Sequence, residues 1–393
     1  MHKYLLVLAL VFTLSGCGVS DYSSIIRAGM SKNPSLAFEG LAKRKAVRYA
    51  ANPKSLSYDL ESIDKNFVGV LLGFITNASK KWGEENVKVP KKEEYVKYMQ
   101  NYKSRALVDF DKGIVTVETL DITNTKQSLK NAIVTTLLLP DDPRSADLFG
   151  AKKVKLGATP YLLGEVKDYD NKNIRYTWRA KRYANALIKK KYRMKNIIKN
   201  NKSVPVYYVT FPMVKDHVSI RVSKFKVYVQ KYAARYSVSE NLIYAIIKTE
   251  SNFNQYAVSH AGALGLMQIV PTSAGRDAYT FVKKSNATPT KSYLFNAQNN
   301  IELGVAYIHI LKQRYLKGIY NPLAREYCVI SAYNTGSGNV LRTFHKDKNK
   351  AKNIINTNKP SFIYYKLRHE LPYKETRRYL EKVVQYKKDF VNL

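Results

Sequence analysis

The chain of 393 residues is long enough for two domains of ordinary size, each with its own core, and a hydrophobic content of 45% excludes a disordered polymer. Lysine and arginine number 66 against 30 aspartates and glutamates, a formal charge of +36. That charge suits a polyanionic partner, and equally a heavily solvated surface with none. Neither zinc-finger spacing nor an RNP-type aromatic strand accompanies it, so a nucleic-acid binder is not expected.

The first residues set the compartment. His2 and Lys3 form a short polar start, residues 4–14 are an apolar run, and Leu14-Ser15-Gly16-Cys17 follows. A run of that length reads as an export signal and is too short for a lasting membrane span. Small residues directly before a cysteine resemble a bacterial lipobox. That resemblance implies a signal peptide over residues 1–16, a lipid on the Cys17 thiol, and a tether over residues 17–36. By the sorting rule of many Gram-negative lipoproteins, Gly18 in place of an aspartate implies the outer membrane. With Cys17 lipidated, Cys328 has no disulfide partner, and its neighbours Tyr327, Val329 and Ile330 make it read as a small buried hydrophobe.

Residues 37–215 mix helices and strands in an α+β pattern. Residues 60–82 read as a helix with apolar Ile63, Phe67, Leu71 and Ile75, and its unbroken apolar part, 67–75, is too short to span a bilayer. Residues 106–110 and 114–120 alternate around Asp111-Lys112-Gly113, a hairpin signal. Residues 127–139 fit a helix or a strand. Residues 176–198 read as one long basic helix and 204–211 as a closing strand. No catalytic constellation stands out in this region.

From residue 216 to residue 393 the pattern is helical. Ser237 and Glu240 have the spacing of a capping box, and a helix starting there carries Leu242, Ala245, Ile246, Thr249 and Glu250 on one side. A carboxylate at the edge of an apolar stripe is poorly solvated, which raises its pKa and equips it as a general acid. A lone helical glutamate also reads as a solvated or lysine-paired charge, but Glu250 is not isolated. Ser251 follows it directly, and Gly262, Gly265, Leu266, Met267 and Gln268 come twelve to eighteen residues on. Glycines let a loop backbone approach a ligand, and Gln268 offers a donor and an acceptor to hydroxyl and acetamido groups. Pro271-Thr272-Ser273-Ala274 reads as a helix start, and residues 298–315 and 322–333 as helices. Gly336 fits a left-handed cap, residues 346–359 a mobile basic loop, and residues 372–390 a closing amphipathic helix. The six histidines are scattered, with His260 in a loop, and lack H-E-x-x-H or Cys/His pairing, so neither metal nor cofactor is expected.

The run T-E-S-x-F over residues 249–253, followed by A-G-A-x-G-L-M-Q over 261–268, resembles the catalytic domain of lytic murein transglycosylases. These are lysozyme-like enzymes that cut peptidoglycan glycan strands. Three further segments match the family in order: Asn300-Ile301 with Gly304, Ala306 and Tyr307; Ala332-Tyr333-Asn334 with Gly336; and Pro372, Glu375, Thr376, Arg377 and Tyr379. The first region is similar to the N-terminal domain of the membrane-bound, C-type members. The resemblance implies a mainly α-helical, lysozyme-like catalytic domain with Glu250 as the acid. It also implies a substrate-binding set of Ser251, Gly265, Met267, Gln268, Tyr333, Asn334 and Tyr379. In it Ser251 would hold or orient the reacting groups, Gln268 and Asn334 would bind acetamido or hydroxyl groups, and the tyrosines would line the cleft.

Most glycosidases use two carboxylates, but no second one sits in a motif here; Asp277, the nearest to a candidate, reads as structural. A single acid fits the family's chemistry, in which the MurNAc–GlcNAc β-1,4 bond is exchanged for a 1,6-anhydro ring. The rival readings are a lysozyme-type hydrolase on the same fold and a non-catalytic peptidoglycan-binding lipoprotein. The expected partners are peptidoglycan glycan strands and, through the lipid on Cys17, a membrane, with the protein itself a monomer.

Overall fold

The computed structural model describes residues 65–142, 149–259 and 262–391. The signal segment, Cys17, the tether, Ile63 and His260 lie outside these. Helix α1 (Lys65–Trp82) leads into strands β1 (Glu94–Met99), β2 (Ser104–Asp109) and β3 (Ile114–Thr119). Helices α2 (Thr125–Leu137) and α3 (Thr177–Lys191) and strands β4 (Arg193–Lys199) and β5 (Lys202–Pro212) complete the first domain. The sheet runs β1-β2-β3-β5-β4, antiparallel throughout. Ala106 and Val108 of β2 lie opposite Val117 and Val115 of β3, so all four share one buried face. Helix α2 packs on this sheet and α3 packs on α2, which resolves residues 127–139 as helix.

Residues 176–198 are not one helix. α3 ends at Lys191 and the chain turns into β4, an edge strand. The cause is the turn that follows: Asn200 and Asn201 both take positive φ, 49° and 61°, and close a two-residue hairpin with Lys199 opposite Lys202. Pairing with β5 outweighs the helix propensity of a lysine-rich run. The exposed charges of Arg193 and Lys195 guard the open edge against pairing with another chain.

The second domain is helical: α4 (His217–Tyr236), α5 (Glu240–Ser251), α6 (Ala274–Lys283), α7 (Lys291–Phe295) and α8 (Ala297–Ile310, prolonged by a π turn, Leu311–Tyr315). Then come α9 (Pro322–Thr335), α10 (Ser337–Arg342), α11 (Lys348–Thr357), α12 (Pro360–His369) and α13 (Lys374–Asp389). α5 is central, packed between α4 and α13, and Leu242 to Ile247 are all buried, so it is covered around its whole circumference rather than on one side. Together the two regions are an α+β domain followed by a mainly helical one.

Four local expectations need correction. Ser237 does not open α5: it stands at φ 52° as the left-handed end of α4, so α5 begins after Ser239 without a side-chain cap. Pro271 lies inside a turn, closed by Ser273 N–H donating to Val270 O at 3.3 Å, and α6 begins only at Ala274. Gly336 does end α9, its N–H donating to Ala332 O at 2.7 Å, but with φ 87° and an extended ψ of 146° it is not a left-handed cap, because it passes the chain straight into α10. The stretch 346–359 is mostly helix α11. Asp347 caps it by accepting from the N–H groups of Asn349 and Lys350, and Ala351 and Ile355, one turn apart, are buried. Among the described residues no helix is long and apolar enough to cross a membrane.

Candidate active site

Glu250 is the penultimate residue of α5 and only 5% exposed. The helix stops there because Asn252 and Phe253 both adopt left-handed backbone, φ 50° and 61°. Burial pushes the Glu250 carboxyl above its ordinary pKa; the Lys92 ammonium, 3.2 Å from Oε2, and the Tyr379 hydroxyl pull it back, while the exposed Glu375 adds to the rise. The Tyr379 hydroxyl is buried and close enough to act on the carboxyl, but makes no full hydrogen bond to it. Lys92 comes from the first domain, in the segment before β1. Burial draws its ammonium down, yet Glu250, Glu375 and Glu93 together hold it above its usual value.

The glycine loop after α5 is fixed from three sides. The single Ser251 hydroxyl proton goes to Leu266 O at 2.7 Å, with Ile247 O at 3.1 Å. Asn300, fully buried in α8, engages both its amide protons and its carbonyl oxygen with the loop and its neighbour. Its Oδ1 accepts from Met267 N–H at 2.7 Å, and its Nδ2 donates to Leu264 O at 2.9 Å and Leu294 O at 2.7 Å. Gly265, at φ 77°, lies so close that an added Cβ would stand 2.3 Å from Asn300 Nδ2 and 2.5 Å from Leu294 O. Its freedom therefore serves an approach to the protein's own side chain. Met267 is fully buried against α8, where a Cβ on Gly304 would meet its Sδ at 2.3 Å.

The remaining candidates lie on this loop and on the helices around it. Gln268 (φ 48°) donates from Nε2 to Gly265 O at 2.9 Å and Ala257 O at 3.2 Å, leaving its buried Oε1 without a partner. Tyr333 donates to Met267 O at 2.8 Å and meets Tyr307 edge-on at 5.7 Å, and its hydroxyl lies within the field of Glu250. Asn334 Oδ1 accepts from the Thr376 hydroxyl at 2.6 Å, tying α9 to the helix that carries Tyr379. The structure thus gathers Ser251, Gly265, Met267, Gln268 and Tyr333 at one loop, with Tyr379 beside the Glu250 carboxyl and Asn334 tying α9 to α13. Asp277 instead accepts from the Tyr315 hydroxyl at 2.9 Å, joining α6 to the π turn. Among the described residues no group of three or more His, Cys, Asp or Glu side chains could hold a metal ion.

Lys92 had no signal in the sequence, since 158 positions separate it from Glu250 and no motif contains it. Asn300 stood in a matched segment, but its part as the clamp of the loop was not readable there.

Residues 60–224 match the family model for the membrane-bound lytic murein transglycosylase C N-terminal domain, and residues 227–356 the transglycosylase SLT domain. Over 346 residues the chain is 41% identical to membrane-bound lytic murein transglycosylase C of Yersinia pestis and of Yersinia pseudotuberculosis, covering 88% of this chain and 95% of each relative. The chain belongs to this family of lytic murein transglycosylases. An inactive mutant of the lytic transglycosylase Slt from Pseudomonas aeruginosa is similar over 41% of this chain and 23% of its own, at 22% identity and a TM-score of 0.32. In this transglycosylase the two matched segments meet within α4, so one continuous helix belongs to both domains.

Proposed function

We propose that this transglycosylase cleaves the MurNAc–GlcNAc β-1,4 bond of peptidoglycan with Glu250 as its single acid and base. The observation that carries the reading is the setting of Glu250. It is a buried carboxyl at the end of a buried helix, facing a clamped glycine loop, and the other carboxylate that acts on it, Glu375, is exposed at the head of α13. Burial favours the protonated state from which a general acid starts. Glu250 gives its proton to the glycosidic oxygen as the bond from the MurNAc anomeric carbon breaks. The C6 hydroxyl oxygen of the same sugar then attacks that carbon, and the Glu250 carboxylate takes the hydroxyl proton. The product is a 1,6-anhydro ring, no water is consumed, and the acid is restored.

In this reading Ser251, Gly265, Met267 and Gln268 shape the loop that receives the sugar, and the unpartnered Gln268 Oε1 is an acceptor for an acetamido N–H or a hydroxyl. Tyr333 and Tyr379 wall the cleft, with Asn334 holding α9 against α13. The relatives are named membrane-bound, and for this chain we assign the anchor to a lipid on Cys17, in the outer membrane facing the periplasm.

The test is a soluble form starting after Cys17, incubated with purified sacculi, its products read by mass spectrometry. Products lighter by one water than their reducing counterparts are expected. Glu250→Gln, which keeps shape and removes the proton, lowers turnover by about 10²–10⁴-fold while sacculus binding persists. Reducing ends would mean a lysozyme-type hydrolase, and near wild-type turnover by the variant would remove Glu250 from the mechanism.

A further inference from the structure

Lys92 belongs to no motif and lies outside the helical domain, yet its ammonium is in contact with the Glu250 carboxylate. Its backbone is fixed on both sides. Lys91 N–H bonds to Glu94 O at 2.8 Å, Phe110 N–H bonds to Glu93 O at 2.9 Å, and Asn254 Nδ2, from the turn after α5, donates to Lys92 O at 3.0 Å. Just beyond, Tyr95 of β1 packs against Tyr256 of that turn, ring centres 5.4 Å apart. The ammonium is therefore delivered by a packed domain junction, with less than a third of the side chain exposed.

We propose that Lys92 is a positioning residue of the active site, a counter-ion supplied by the N-terminal domain that holds the Glu250 carboxylate in the unliganded cleft. The proposal rests on Glu250 being the catalytic acid. Four groups face that carboxylate: Lys92 from the segment before β1, Tyr379 and Glu375 from α13, and Tyr333 from α9, with Glu93 beside Lys92. Of these Lys92 is the cation. Opposite charge favours the ionised carboxylate, whereas burial and Glu375 favour the protonated one. The docked first domain thereby sets how readily the acid keeps its proton.

The experiment measures kcat/KM against pH with soluble peptidoglycan fragments, using the chain from the residue after Cys17. The basic limb of that profile reports loss of the proton from the acid of the unliganded enzyme. In Lys92→Met and Lys92→Gln, whose folding is checked by thermal melting, the limb moves to higher pH, because the cation that favours ionisation is gone. A third variant, Lys92→Cys, alkylated with bromoethylamine, restores an ammonium at similar reach and returns the limb to its wild-type position. Cys328 does not compete for the reagent, being fully buried with its thiol pushed up to about 12. A limb that stays in place in the neutral variants overturns the proposal, as does one that alkylation fails to restore. A merely structural lysine would lower kcat/KM by the same factor at every pH. Failure of the underlying acid assignment is read separately, as undiminished turnover by Glu250→Gln.

Discussion

At Gly265 a side chain has no room. The backbone sits at φ 77°, where an L-residue is strained, and the space a Cβ would fill is taken by Asn300 Nδ2 and Leu294 O. Gly265→Ala should therefore cost about 2–4 kcal/mol of stability, strain and overpacking together. Because the strain falls on the loop facing Glu250, kcat/KM should drop as well. Urea unfolding beside a turnover assay checks both, and an alanine variant with wild-type midpoint and activity would contradict this account of the loop. The residue was legible as a glycine that mattered, but the contact with Asn300 that requires it was not. The spacing from Glu250 suggested close approach of a ligand, whereas the neighbour is the amide of Asn300, which reaches the loop at Met267 from 33 positions away. A sequence displays which residue is small; it does not display what fills the space beside it.

Among the elements, α4 carries the junction between the domains. Arg221 is fully buried on it and donates to Glu165 Oε2 at 2.7 Å and to Asn252 O at 3.0 Å, while also contacting His217. It thus fastens a loop of the first domain to the end of the helix that bears Glu250. Arg221→Met leaves Glu165 buried with Lys224, less than a third exposed, as its remaining counter-charge at 2.6 Å. The expected loss is at the lower end of about 3–5 kcal/mol, measurable by chemical denaturation. Arg221→Lys should not rescue it, because one ammonium cannot serve the fork of contacts. A helix with a strong apolar repeat, such as α13, was readable in the sequence, as was the long apolar run of α8. Elements decided by one capping or turning residue were not: α11 hangs on Asp347, and β4 on the asparagine turn at 200–201.

For the whole molecule, the buried hydrophobic cluster runs from Phe74 in the first domain to Val383 in the last helix without interruption. Tyr95, Tyr161 and Tyr256 bridge the junction, the last two with ring centres 4.7 Å apart. Calorimetry of the soluble chain should accordingly give one unfolding transition; two separated transitions would mean that the domains hold together less tightly than their packing implies. The two-domain plan and the family motif around Glu250 were legible because each is written in a contiguous stretch. The meeting of Lys92 with Glu250 was not, because it exists only once two distant stretches are folded against each other. The same junction bears on how such a chain can change over generations. Phe110 is gripped through its main-chain oxygen, which accepts from Asn252 Nδ2 at 3.0 Å and lies 3.5 Å from both terminal nitrogens of Arg221. A main-chain oxygen is present whatever the residue type, so substitution at position 110 alters packing but leaves this attachment point where it is. Lengthening or shortening the tight turn over residues 111–113 would move it bodily, which makes chain length in that hairpin, more than its lettering, the quantity that inheritance has to preserve.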